Sequence, residues 1–72
     1  MTNSALLREK ISQSGLRMGY IADCMGISRA SLYNKISNKR EFKASEIMTL
    51  AKLLSLNRSQ EKEIFFTHYV DE

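Results

Sequence analysis

The residue types that usually carry catalysis or bind metals are scarce in this chain. Cys24 is its one cysteine and His68 its one histidine. A structural zinc site usually takes four Cys or His ligands, and a disulfide takes a second cysteine, so the sequence supplies neither. It also lacks a glycine-rich phosphate loop and a Cys/His/Asp cluster that would activate a nucleophile. We therefore expect no enzyme, no metal site and no cofactor.

Positive charge is concentrated in the middle third of the sequence. Between Arg17 and Lys43 there are six basic and two acidic residues, whereas the rest of the chain has five basic and six acidic residues. The formal net charge of +3 therefore comes from this segment. Such a distribution favours a polyanion as partner, and a merely solvated polar surface is the alternative.

Hydrophobic periodicity and turn signals predict the elements that carry this charge. The 72 residues contain no proline and suffice for one domain, which we place over residues 1–72. Turn signals divide the chain into five helices with short connections, so the predicted fold class is all-α. The predicted helices cover about residues 4–14, 18–25, 28–36, 44–54 and 58–69.

Local signals also predict how these helices begin and end. Gly15, Gly26 and Asn38 stand where a helix ends in a left-handed residue. Ser28 is a good N-cap. The side chains predicted to face inward recur at helical spacing. They are Leu7, Ile11, Ile21, Ala22, Met25, Leu32, Ile36, Ile47, Leu50, Ala51, Leu54, Ile64 and Phe65.

The segment from Met18 to Ile36 has the sequence pattern of a helix-turn-helix. A first helix ends at Gly26, which tolerates positive φ, and a second begins at Ser28. Ala22 is small enough to let two helices cross closely, and hydrophobic residues on both sides of the turn fill the angle between them. This arrangement of a small residue, a glycine, a hydrophobic residue and a polar cap is typical of the motif.

The sequence LRMGYIADCMGISRASL, residues 16–32, resembles the lambda-repressor/Cro-type (XRE) family of helix-turn-helix proteins. The segments 41–42, 44–47 and 64–66 resemble small phage Cro-type regulators of Gram-positive hosts. Together these similarities run from about Leu6 to Phe66. They imply a five-helix, lambda-repressor-like fold and a homodimer that binds a near-palindromic operator in double-stranded DNA and represses transcription.

The resemblance places the first turns of the third helix in the major groove, where side chains read base edges. The implied base contacts are Ser28, Arg29, Ala30, Tyr33 and Asn34. An arginine fork matches O6 and N7 of guanine, and an asparagine amide matches N6 and N7 of adenine. Ala30 would touch a thymine methyl group. Tyr33 would meet a base, a phosphate or the wall of the groove.

The same resemblance implies contacts between basic side chains and the phosphate backbone. The implied residues are Arg17, Lys35, Lys39, Arg40 and Lys43. The chain departs from the family pattern at Met18, where a glutamine is common, and at Ser37-Asn38, where a polar residue and a glycine are common. Lys35 stands where the family usually has an apolar residue, which leaves that packing position to Ile36.

The apolar end of the chain predicts how two copies would associate. A single recognition helix rarely gives adequate specificity, so two half-sites and a homodimer are expected. We expect Phe66, Tyr69 and Val70 to form the dimer interface, because the C-terminal helix carries more apolar surface than one small core needs. The alternative is that Phe65 lies in the core and Phe66 is simply exposed.

Location and alternative functions follow from what the sequence lacks. It shows no secretory signal and no apolar stretch long enough to span a membrane, so we expect a soluble, cytoplasmic protein. No small-molecule site is evident. Because a fold does not determine a function, a protein-interaction module of the antitoxin or antirepressor kind remains the alternative to a DNA-binding regulator.

Overall fold

The computed structural model describes residues 1–66, and within them the predicted all-α fold is confirmed. The helices are α1 (Ser4–Ser14), α2 (Met18–Met25), α3 (Arg29–Ile36), α4 (Ala44–Leu53) and α5 (Arg58–Phe65). α2 packs against both α3 and α4, while α1 packs against α3 and α5. Among these described helices, none has the length and apolar character needed to cross a membrane.

The ends of α1 follow the local signals of the sequence. The Asn3 side chain accepts a hydrogen bond from the amide of Leu6 at 3.2 Å, which caps the first turn. Gly15 ends the helix with φ of 74°, in the left-handed region where a side chain would be strained. The amide of Asn3 also donates to the carbonyl of Ile64 at 2.7 Å, so the start of α1 is joined to α5.

Every helix contributes at least one fully buried side chain to a single core. Burying one such side chain contributes about 1.5–3 kcal/mol, which is a large fraction of the stability of a domain this small. Phe42 and Phe65 meet at the edge of this core with ring centroids 5.5 Å apart and edge to face. The fully buried residues are Leu7, Ile21, Leu32, Ile36, Leu50 and Ile64.

A buried ion pair joins the end of α3 to the start of α4. The ammonium Nζ of Lys35 lies 2.6 Å from Oε1 and 2.7 Å from Oε2 of Glu46. Only 7% of each side chain is exposed. Burial of a charged side chain is costly unless a partner compensates it, and here each charge compensates the other.

Glu46 also caps the first turn of α4. Its Oε1 accepts a hydrogen bond from the amide of Lys43 at 2.9 Å, which is half of a capping box. The other half cannot form, because a lysine ammonium has no acceptor for the amide of Glu46. Burial alone raises the pKa of the Glu46 carboxyl, but the hydrogen bonds from Lys35 and Lys43 outweigh it and hold this pKa below its ordinary value.

Asn38 connects the end of α3 to the start of the chain. Its φ of 69° is the left-handed conformation that the sequence predicts. The side-chain amide accepts from the amide of Thr2 at 2.8 Å and donates to the carbonyl of Thr2 at 2.9 Å. It also donates to Oγ of Ser4 at 3.1 Å, while that hydroxyl donates to the carbonyl of Ile36. We call this set of hydrogen bonds the Asn38 clamp.

Some of the predicted positions are wrong. α4 ends at Leu53, one residue earlier than predicted, and α5 ends at Phe65 instead of Tyr69. Phe66 leaves the helix with φ of −128° and packs partly buried on the core. The apolar pattern continues past Phe65 without a stop signal, which is why the prediction ran too far. Met48, on α4, is 63% exposed.

We predict that Glu46→Gln lowers the free energy of unfolding by about 3 kcal/mol at pH 7, because it leaves a buried ammonium without its anion. The folded-state pKa of Glu46 is lowered, so its stabilisation is present above the unfolded-state pKa and is lost as pH falls through the folded-state pKa. The difference between wild type and variant should therefore shrink on acidification. Urea denaturation at pH 7 and pH 3 measures this difference in the free energy of unfolding.

The control is Glu63→Gln, which removes the same charge from an exposed position on α5. It should change stability by no more than about 0.5 kcal/mol at either pH. A gap between wild type and Glu46→Gln that stays constant from pH 7 to pH 3 would contradict an ionised, paired carboxylate at Glu46.

We predict that Asn38→Ala destabilises the protein more than Asn38→Gly does. Both variants lose the Asn38 clamp, whose largely exposed hydrogen bonds contribute about 0.5–1.5 kcal/mol each at most. Only alanine also strains the left-handed backbone, which adds about 1 kcal/mol. Chemical denaturation and hydrogen exchange at the Thr2 amide test this. Equal stability of the two variants would contradict a strained backbone at this position.

Candidate nucleic-acid interface

α2 and α3 are joined by three residues, 26–28, in a tight turn. Gly26 has φ of 72° and donates its amide to the carbonyls of Ala22 and Asp23. The amide of Ile27 donates to the carbonyl of Ala22 at 3.0 Å, which completes a Schellman motif. A Cβ at Gly26 would meet nothing within 4 Å, so glycine is favoured here by its backbone conformation and not by lack of space.

Ser28 starts α3 in the direction that the turn sets. Its backbone is extended, with φ of −76° and ψ of 160°, and its hydroxyl accepts from the amide of Ser31 at 3.1 Å. The side chain is therefore engaged as the N-cap, which agrees with the sequence prediction. Ser28 is nevertheless exposed, so the first turn of α3 opens to solvent.

α3 buries one side and presents the other to solvent. Leu32 and Ile36 are fully buried. Arg29, Ala30 and Tyr33 are exposed, and Tyr33 follows Ala30 by three residues and Arg29 by four, the spacings that place side chains on a common side of a helix. Of the five predicted base contacts, only Asn34 is half-buried, at the edge of this surface. We call the exposed side of α3, formed by Ser28, Arg29, Ala30, Tyr33 and Asn34, the α3 face.

The side chain of Arg29 lies along the first turn of α2. A Cβ built on Gly19 would be 3.7 Å from Nε of Arg29, so the stem of this guanidinium passes over the glycine. Gly19 weakens α2 as a helix, and α2 also has no side-chain cap at Arg17. A Cβ at Gly19 would make only an ordinary van der Waals contact with Arg29, so the packing of Arg29 on α2 does not by itself require a glycine there.

Exposed basic side chains stand in the segment that follows α3 and just before α2. Lys39, Arg40 and Lys43 belong to the segment 37–43 between α3 and α4, and all three are exposed. Arg17, at the N-terminal end of α2, is exposed as well. Two acidic residues of the same region, Asp23 and Glu41, are also exposed. Exposed basic residues therefore outnumber exposed acidic ones in this part of the chain, which suits contact with an anionic polymer.

Lys35 does not belong with these exposed cations. The sequence resemblance implied a phosphate contact, but the ammonium is buried and bound to both carboxylate oxygens of Glu46. Reaching a phosphate would require breaking that pair and leaving Glu46 buried and unpaired, which is strongly unfavourable. The prediction for Lys35 is corrected accordingly, and Ile36 takes the apolar packing position as expected.

Tyr20 is an exposed residue that the sequence analysis did not select. It is 53% exposed on α2, close in sequence to Gly19 and to the turn. A hydrogen bond with Cys24, one turn further along α2, raises the pKa of its phenol. Cys24 is itself exposed. The signal available in the sequence was position, because Ile21, Ala22 and Met25 mark the inward-facing stripe of α2 and Tyr20 lies off that stripe.

The residues predicted for the dimer interface fall at the end of the described chain. Phe66 is half-buried and packs partly on the core of its own chain. Tyr69 and Val70 lie outside the described residues, as does His68. Across residues 1–66, no group of three or more His, Cys, Asp or Glu side chains is placed to hold a metal ion.

Comparison with known proteins adds one finding. A family model described as protein of unknown function (DUF739) matches residues 4–68, which include all of α1 to α5. No curated protein and no solved structure matches the chain. Since the matched segment covers nearly the whole sequence, the chain belongs to the DUF739 family of proteins of unknown function.

Proposed function

We propose that this protein is a sequence-specific, double-stranded-DNA-binding transcriptional regulator of the lambda-repressor/Cro type, a repressor of the kind that phages or mobile elements carry. In this proposal α2, the turn at Gly26 and α3 act as a helix-turn-helix. α3 enters the major groove and reads base edges, while neighbouring basic side chains bind phosphates.

The single observation that carries the proposal is the α3 face. It begins directly after a tight turn and presents an arginine fork, a small methyl group and an aromatic ring in one or two turns of helix. These groups match the chemistry of base edges, since arginine pairs with guanine and a methyl group packs on thymine. Asn34, half-buried at the edge, would reach adenine through its amide.

The exposed basic side chains have a different role in this proposal from that of the α3 face. Arg17, Lys39, Arg40 and Lys43 are exposed and would bind phosphates, which position the protein on DNA without reading its sequence. Binding through such contacts releases counterions, so affinity falls steeply as salt rises. Lys35 is not included, because its ammonium is already paired.

We predict that Arg29→Ala and Lys39→Ala change DNA binding in different ways. Arg29→Ala should remove about 1–3 kcal/mol of preference for the selected duplex, because a base contact is lost. Lys39→Ala should weaken selected and scrambled duplexes alike and reduce the slope of log affinity against log salt by about 1. Fluorescence anisotropy at two or more salt concentrations, with a duplex selected by the protein itself, measures both effects.

Arg8→Ala is the matched control, because Arg8 is an exposed arginine on α1 that lies outside the segment 17–43. The Arg8→Ala variant should keep the wild-type affinity for DNA, preference for the selected duplex and salt slope. The proposal fails if the wild type binds no selected duplex better than the scrambled one at low salt.

A protein-interaction module is the second candidate, and one observation favours it. Tyr20 and Tyr33 are 53% and 51% exposed, and tyrosine is enriched where proteins bind one another. The two functions differ in their response to salt and to substitution. Binding to a protein through these rings would be lost in Tyr20→Ala, with a weaker salt dependence than phosphate contacts give.

We predict that two chains bind each selected duplex, because two half-sites are needed for adequate specificity. Sedimentation velocity with and without the duplex measures the stoichiometry. Val70→Asp should reduce duplex affinity and dimer formation together, because a charge would enter the proposed interface of Phe66, Tyr69 and Val70. A wild-type chain that stays monomeric at high micromolar concentration, with and without the duplex, would contradict the dimer.

A further inference from the structure

The segment 37–43 forms a cationic loop whose two ends are held by one carboxylate. At the end of α3, Lys35 donates to both oxygens of Glu46 at 2.6 and 2.7 Å. At the start of α4, the amide of Lys43 donates to Oε1 of the same carboxylate at 2.9 Å. Glu46 therefore closes the neck of the loop, in a place from which solvent is largely excluded.

The backbone of the loop is held at further points between its ends. The amides of Lys39 and Arg40 both donate to the carbonyl of Asn34, at 2.8 and 3.4 Å. The Asn38 clamp joins the loop to the start of α1. Phe42 packs edge to face on Phe65 in α5. The loop thus has a fixed backbone and exposed basic side chains.

We infer that the Glu46 carboxylate, bound by both the Lys35 ammonium and the Lys43 amide, is a positioning device for DNA phosphate contacts, which sets the backbone from which Lys39, Arg40 and Lys43 reach the phosphates. This inference rests on the proposed DNA-binding function and adds a role for two residues that touch no DNA. Lys35 and Glu46 act through the loop, so they are positioning residues and not contact residues.

The physical reason lies in when the loop loses its conformational entropy, during folding or on binding. A flexible loop that becomes ordered on binding loses conformational entropy, which is subtracted from the affinity. A loop already closed at its neck has lost most of that freedom during folding. Ion pairing at Glu46 therefore strengthens contacts made several residues away, and it does so for every DNA sequence alike, because phosphates carry no base information.

The experiment compares wild type with Glu46→Gln and with the exchanged variant Lys35→Glu/Glu46→Lys. Glu46→Gln removes the ion pair. The exchanged variant keeps opposite charges at these two positions but removes the acceptor for the Lys43 amide, since an ammonium accepts no hydrogen bond. Ile11→Ala, a core truncation in α1 away from the loop, is the control for lost stability. Circular dichroism defines a temperature at which each protein used is folded.

Affinity for the selected and scrambled duplexes is then measured across a salt series. We expect both loop variants to bind both duplexes about tenfold more weakly, with a salt slope lower by about 1–2, which corresponds to one or two lost phosphate contacts. Preference for the selected duplex should remain. Ile11→Ala should keep the wild-type slope. If one loop variant does not fold, the other carries the comparison.

Hydrogen exchange at the amides of Lys39 and Lys43 supplies a readout that needs no DNA. Both should exchange faster in the loop variants than in Ile11→Ala. A folded Glu46→Gln or exchanged variant with wild-type salt slope and wild-type exchange overturns the inference and leaves the proposed function intact. Failure of the wild type to bind any duplex overturns the proposed function itself, and the phosphate role of the loop with it.

Discussion

Burial of one side of α3 is the constraint from which the candidate interface follows. Leu32 and Ile36 are fully buried, and side chains four residues apart lie on the same side of a helix. Their burial fixes the rotation of α3 about its own axis. Arg29, Ala30 and Tyr33 then point into solvent as a consequence. The surface proposed to read DNA is the other side of the core-forming helix, so a change that rotates α3 would move all of these side chains together.

Lys35 lies on the buried side of the same helix, which explains the place of Glu46. An ammonium that cannot reach water needs an anion beside it, and Glu46 supplies two oxygens from the next helix. Apolar residues at both positions would commonly give equal or greater stability, so stability alone does not account for the pair. A hydrogen-bonded pair differs from an apolar contact in having a direction. It holds the end of α3 and the start of α4 in one arrangement, with the loop between them.

Local chemistry was enough to predict most of the fold, and long-range contacts account for what was missed. Gly15, Gly26 and Asn38 take the left-handed conformations expected of them, because these depend on a few neighbouring residues. The burial of Lys35 depends on a partner eleven residues away, and hydrophobic periodicity treats any lysine as exposed. The residues of the α3 face were implied by the family resemblance, and the burial of Leu32 and Ile36 on the other side of the helix explains why all of them except the half-buried Asn34 are exposed. The end of α5 was misplaced because no residue near Phe66 signals a stop.

The contacts that order the cationic loop come from three other parts of the chain. α1 contributes through the Asn38 clamp, α4 through Glu46, and α5 through Phe65. A domain this small has a small core and buries a modest fraction of its surface, so directional contacts at its edge matter more for local order than they would in a larger protein. Basic residues on an unrestrained loop would lose entropy on meeting a phosphate backbone. Here the backbone is ordered by folding, and only the long side chains of Lys39, Arg40 and Lys43 are left to become ordered on binding.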